Sequence, residues 1–220
     1  MERKGRIHGE GRTAVTKVDL KKELKHLSVP SAKDVSEVEV PPMKFLMIDG
    51  KGDPNTSQEY AEALEALYAV SYAIKFAVKR TEGVDYAVMP LEGLWWTDEM
   101  REFSVEDKGS WKWTAMIMQP ERYVSKGLFE ELRSDVERKK GLPAVARMRF
   151  AGFREGLSAQ VMHLGPFSEE GPTIERIHCH IEERGGLRRG KHHEIYLSDF
   201  RRTKPERLKT VIRQPFVERR

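Results

Sequence analysis

The chain has 220 residues, enough for one large domain or two small ones, and it can bury a core without covalent staples. Hydrophobic residues make up 39% and charged residues 34%, and four Trp, nine Phe and six Tyr need cover, which excludes a largely disordered chain. Thirty-nine basic residues stand against 35 acidic ones, with the excess at Arg3, Lys4, Arg6, Arg12, Arg219 and Arg220 and around Arg184, Arg188, Arg189 and Lys191. No aromatic residues interleave these clusters as a nucleic-acid stripe would require, so a nucleic-acid partner is not expected. The apolar stretch 67–78 is broken by Ser71 and Lys75, so no membrane span is expected. The opening MERKGRIHGEGRT lacks the apolar centre of a secretory signal. The lone Cys179 excludes an internal disulfide and points to a reducing cytoplasm.

In chain order, residues 1–16 show no apolar periodicity and read as a mobile extension. Residues 17–42 read as a short amphipathic helix (Val18, Leu20, Leu24, Leu27) and an extended linker with Pro30, Pro41 and Pro42. MKFLMID at 43–49 predicts a buried strand. Thr56 and Glu59 fit a capping box, and Tyr60, Leu64, Leu67, Ser71, Ile74 and Val78 recur at helical spacing. Strands are predicted over 86–96 and 111–118. A helix capped by Ser125 follows, with Leu128, Leu132 and Val136 on one face, stopping before Gly141. Residues 145–153 and 158–164 read as a hairpin around Glu155–Gly156. Then come a helix with Ile174, Ile177 and Ile181, a strand at HHEIYLS (192–198) and a last strand at 210–213. Strands grouped with few crossovers favour an antiparallel α+β fold, and 43–118 and 158–213 share a strand–helix–strand–strand order.

Five strings in this order carry a resemblance: PPMKFLMIDGKGDPN at 41–55, PLEGLWW at 90–96, WKWTAMIMQP at 111–120, EGLSAQVMHLGPFSEEGPTI at 155–174 and HHEIYLSDFRRTKPERLKTVIRQP at 192–215. Over residues 18–216 the chain resembles stand-alone GyrI-like small-molecule-binding proteins, relatives of the effector-binding domains of MerR- and AraC-type regulators. The resemblance implies two strand–helix–strand–strand repeats (43–141 and 142–216) within a ligand-binding domain spanning 43–220. It also implies a pseudo-twofold, antiparallel sheets forming a central cleft, and helices outside. Implied too is binding of bulky aromatic or cationic compounds, with no cofactor. In a subset of stand-alone members it implies hydrolysis of cyclopropanoid DNA-alkylating compounds.

The residues give this reading its chemistry. His192, Glu194, Tyr196 and Ser198 share one face of a strand, while His193, Ile195 and Leu197 share the other, which is expected to meet helices. The family's cleft glutamate maps onto Glu194, a candidate general base or cation partner. Tyr196, on the same face, is the candidate donor to a developing oxyanion. Trp111 and Trp113 lie two apart and share a face, and of the adjacent pair Trp95 and Trp96 at most one lines the cleft. Met116, His163 and His192 complete the expected lining, with Phe167, where many relatives carry Tyr. A metal site is not expected: His178 and His180 would lie about 200° apart on a helix, and His192 and His193 face opposite sides of a strand. Two other readings stay open: a sensor or sequestering protein without turnover, and a protein-binding, topoisomerase-inhibitor-like role.

Overall fold

The computed structural model describes residues 15–98 and 108–219. Residues 1–14 of the predicted extension therefore lie outside the described residues. The first elements differ from expectation. Val18 belongs to a strand, β1 (Thr16–Val18), parallel to β4 (Val84–Tyr86). Two single-turn helices follow, α1 (Leu20–Glu23), capped by the Asp19 carboxylate, and α2 (Lys25–Ser28). The extended segment after Pro30 holds β2 (Ser36–Val40), an outer strand of the main sheet.

β3 (Met43–Lys51) leads through the Asp53–Pro54 turn into α3 (Gln58–Thr81). The cap is Ser57, one residue past the predicted Thr56, and its side chain accepts the Tyr60 N–H at 3.2 Å. The predicted stripe holds: Tyr60, Leu67, Ser71, Ile74 and Val78 are all buried. The run 86–96 splits at Pro90 into β4 and β5 (Leu91–Trp96), because proline cannot donate to a ladder. β6 (Lys112–Gln119) and α4 (Lys126–Lys140) follow. Ser125 caps α4, and Gly141 ends it in the left-handed conformation, φ 62°, which a side chain would strain. The remaining elements are β7 (Arg149–Phe153), β8 (Gly156–Leu164), α5 (Gly171–Glu183), β9 (Gly186–Arg188), β10 (His192–Tyr196) and β11 (Lys209–Glu218).

The fold is α+β, built on one large antiparallel sheet in the order β2-β8-β11-β10-β5-β6-β3-β7, with β9 attached to β11. β3-α3-β5-β6 forms one strand–helix–strand–strand unit and β8-α5-β10-β11 the other. They join at the β5–β10 pair, where the pseudo-twofold passes and Glu194 faces Gly93.

β7 and β8 are not the hairpin the turn residues suggested. β7 pairs with β3, and β8 with β2 and β11. They stand six positions apart in the strand order, about 29 Å on a flat sheet. Yet only Arg154 and Glu155 connect them, and three Cα steps reach at most about 11 Å. The sheet must therefore curl until β7 approaches β8, and the Phe153 ring comes within 6.4 Å of the His193 ring on β10.

The curl gives the sheet two different faces. The convex face carries α3 over β3 and β6, and α5 over β8 and β11. Tyr60 of α3 meets Trp95 and Trp113, while Ile177 and Ile181 of α5 pack with Val161 and Ile212. The concave face is roofed by the α1–α2 segment, whose His26 and Leu27 carbonyls accept hydrogen bonds from Gln160 and Arg213. His193 and Ile195 point to this concave side. Glu194 and Tyr196 point between the two long helices, so the long helices cover the face opposite to the one expected.

Candidate functional site

β10 is paired on both edges, with β5 and β11, so its alternation is fixed by ladders on both sides and not left to a free edge. That register sets Glu194 and Tyr196 as the floor of a cavity of about 480 Å³ between the N-terminal turns of α3 and α5. Pro54, Asn55 and Tyr60 line it from the α3 side. Phe167, Ser168, Glu170, Gly171, Pro172 and Ile174 line it from the α5 side. Trp95, Trp111 and Phe200 complete the wall. Among the described residues, the lining carries two carboxylates and no lysine or arginine.

Glu194 is 7% exposed. Its Oε2 accepts the Tyr196 hydroxyl at 2.7 Å, and its Oε1 lies 3.2 Å from His192 Nε2. Burial, and after it the charge of Glu194, pushes the Tyr196 hydroxyl well above the usual tyrosine range. Tyr60 is raised by the same two causes, and its hydroxyl hydrogen-bonds Tyr196. Both phenols thus stay protonated, and Tyr196 is the one that donates to the carboxylate. The rings enclose the space above: Trp95 to Trp111 at 5.4 Å, Tyr60 to Trp95 at 5.7 Å, Phe167 to Tyr196 at 5.6 Å and Phe167 to Phe200 at 6.2 Å. A buried carboxylate with aromatic faces suits a flat or cationic guest and can take a proton from water held over it.

Of the ten residues singled out in the sequence, Glu194, Tyr196, Trp95, Trp111 and Phe167 line this cavity. The other five lie elsewhere. Trp96 points to the opposite face, where the Lys191 ammonium sits 3.1 Å from its ring centroid. Trp113 is fully buried: its ring covers Gly50 so closely that a Cβ there would fall 2.2 Å away, and it packs edge-on against Tyr60 at 5.0 Å. It backs the site without lining it. Met116 pairs with Met47 and Glu92 and faces the concave side. His163 is held by Thr173 Oγ1 at 3.0 Å and the Pro166 carbonyl at 3.2 Å, where it fixes the turn into α5. His192 stands behind Glu194 rather than in the wall.

Nine lining residues were missed, among them Tyr60, Glu170 and Phe200, which bring a hydroxyl, a carboxylate and an aromatic ring to the wall. Tyr60 read as the first position of an apolar helix stripe, and its place directly after a Gly-Asp-Pro turn at a sheet end was the available signal. Glu170 and Phe200 sit in turns without periodicity, and nothing local marks them.

The comparisons agree with this architecture. The model of the GyrI-like small molecule binding domain matches residues 33–216. An uncharacterized conserved protein of Listeria innocua is 39% identical, with a TM-score of 0.84, covering 91% of this chain and all of its own. A hydrolase from the same organism is 38% identical, with a TM-score of 0.82, covering 92% of this chain and all of its own. The C-terminal domain of EcmrR, at 11% identity and TM-score 0.54, covers 84% of this chain and 98% of its own, and shares the fold. No curated protein matches the sequence. Among the described residues no helix is long and apolar enough to cross a membrane. The family model spans most of the chain, and the fold and the cavity at its pseudo-twofold agree with it: the chain belongs to the GyrI-like small-molecule-binding family.

Proposed function

We propose that the chain takes a bulky, flat aromatic molecule into the cavity over Glu194 and hydrolyses an electrophilic cyclopropane ring on it. The observation that carries this is the Glu194 carboxylate, buried under aromatic rings with the Tyr196 hydroxyl at 2.7 Å. The 38% identical hydrolase supports a water-consuming reaction.

In such a substrate the strained ring is conjugated to a dienone. Water forms a bond to the ring carbon, the ring C–C bond breaks, and its electron pair passes through the conjugated system to the carbonyl oxygen. Glu194 takes the proton that the attacking water loses. As the carboxylate charge falls, it holds the Tyr196 hydroxyl less strongly, and the phenol turns to donate to the new oxyanion. Trp95 and Trp111 hold the flat system between them. A positioned base and a single donor each contribute about 10²–10⁴-fold.

A second reading, binding of an aromatic cation without turnover, is favoured by one observation: Glu170 and Glu194 give the lining two carboxylates and no basic side chain. Incubation of the purified protein with a cyclopropanoid compound, with the ring-opened product followed by mass spectrometry, separates the two. Tight binding with no product beyond the background rate supports the second.

A further inference from the structure

The concave face of the sheet holds a second cavity, separate from the one over Glu194. It measures about 190 Å³ and lies beneath the α1–α2 roof. Its wall is apolar: Met43, Met89, Met118 and Ile195 from the sheet side, Leu24 and Leu27 from the roof. Methionine side chains adapt to varied guest shapes. A cavity of roughly 150 Å³ walled by such residues accommodates benzene, so this one matches a guest of one or two small rings.

The polar atoms at its base are ordered. Glu92 Oε2 is 3.0 Å from His193 Nε2, and the other ring nitrogen of His193 is 3.0 Å from Glu155. Glu155 also accepts from Arg213 at 3.1 Å, and Arg213 is anchored by Gln160 and the Leu27 carbonyl. Two carboxylates face one imidazolium and one guanidinium, so the charges close among themselves and ask for no ion from the guest. Glu92 Oε1, at the cavity base, has no hydrogen bond within this network. It can accept one more donor, and a buried acceptor gains from a guest that supplies it.

We propose that this concave cavity is a second ligand site, for a neutral one- or two-ring aromatic molecule carrying an N–H or O–H donor that Glu92 accepts. The guest enters beside Lys21 and Val29, the exposed residues of the lining. The site shares β10 with the first cavity, through residues of opposite parity, but no side chain lines both.

Indole is the probe. With methyl-¹³C methionine labelling, its titration should shift the Met43, Met89 and Met118 methyl signals saturably, assigned by single Met→Leu replacement. N-methylindole keeps the rings and lacks the donor, and it should bind about ten- to a hundredfold more weakly, the loss of one hydrogen bond to a charged acceptor. Leu24→Trp, made in the roof, fills the space and should abolish the shifts while leaving the Tyr196 cavity unchanged. Unmoved methionine signals up to the solubility limit of indole, in wild-type protein, would overturn the proposal. So would equal affinity for N-methylindole, or saturable shifts that persist unaltered in a folded Leu24→Trp variant.

Discussion

At the scale of single residues, two tryptophans two positions apart do different work. Trp111 lines the cavity and Trp113 lies against Gly50 behind it. Trp111→Ala should weaken binding of a planar aromatic cation by about 1–2 kcal/mol, whereas Trp113→Ala, behind the wall, should leave that contact in place. Trp113→Ala should lower folding stability by about 3–5 kcal/mol, as a large cavity in a packed core does. Calorimetric binding and chemical denaturation of both variants check the assignment, and exchanged phenotypes would refute it. Parity on a strand told which side each ring takes. It did not tell which ring a helix covers, because Tyr60 reaches Trp113 across 53 residues of sequence.

The buried His193 gives a residue-scale pH dependence. Burial alone would lower its pKa, but the carboxylates of Glu155 and Glu92 outweigh burial and raise it from 6.5 to about 9. Burial would likewise raise Glu155, yet the His193 and Arg213 charges hold it down at about 2, from 4.5. A raised histidine stabilises the fold fully below its unfolded pKa, and that contribution is lost as pH rises through 9. A depressed carboxylate stabilises fully above 4.5, and its contribution is lost as pH falls towards 2. The melting temperature of wild-type protein should therefore decline from about pH 6.5 towards pH 9. In His193→Gln that alkaline decline should flatten. An equal alkaline slope in both proteins would show that His193 is neutral in the folded state.

At the scale of elements, the sequence read most helices and strands in their right order, since periodicity and turn residues are local signals. Caps were located to within a residue. Thr56 and Glu59 satisfied the capping-box pattern, but Ser57 makes the bond. Ser57→Ala should cost about 1 kcal/mol and Thr56→Ala close to nothing, measured by urea denaturation. The reverse ranking would return the cap to Thr56. Pairing between elements was less legible. Glu155–Gly156 looked like a hairpin turn because both flanks are strands, but each strand finds better partners elsewhere, and the link only bridges a curled sheet. β2 was hidden in a proline-flanked stretch with charges at Glu37 and Glu39, the pattern of an edge strand that exposes alternate residues.

At the scale of the whole molecule, two strand–helix–strand–strand units meet edge to edge, and the place where they meet is the place where β10 carries Glu194. The curl leaves the convex side open between two helix starts and closes the concave side beneath a short roof. Family membership, the fold and the aromatic cavity follow from the sequence pattern and the geometry together. The proposed catalysis rests on the proton chemistry of one carboxylate. The most direct test compares product formation from a cyclopropanoid compound by wild-type protein and by Glu194→Gln, which keeps the size of the side chain and removes its charge and basicity. The account predicts turnover by the wild type, a fall of about 10²-fold or more in kcat for the variant, and affinity for a neutral aromatic ligand within a few-fold of wild type. Turnover that survives Glu194→Gln unchanged would contradict the assignment of the base, and a wild-type protein that binds the compound and leaves it intact would contradict the hydrolase itself.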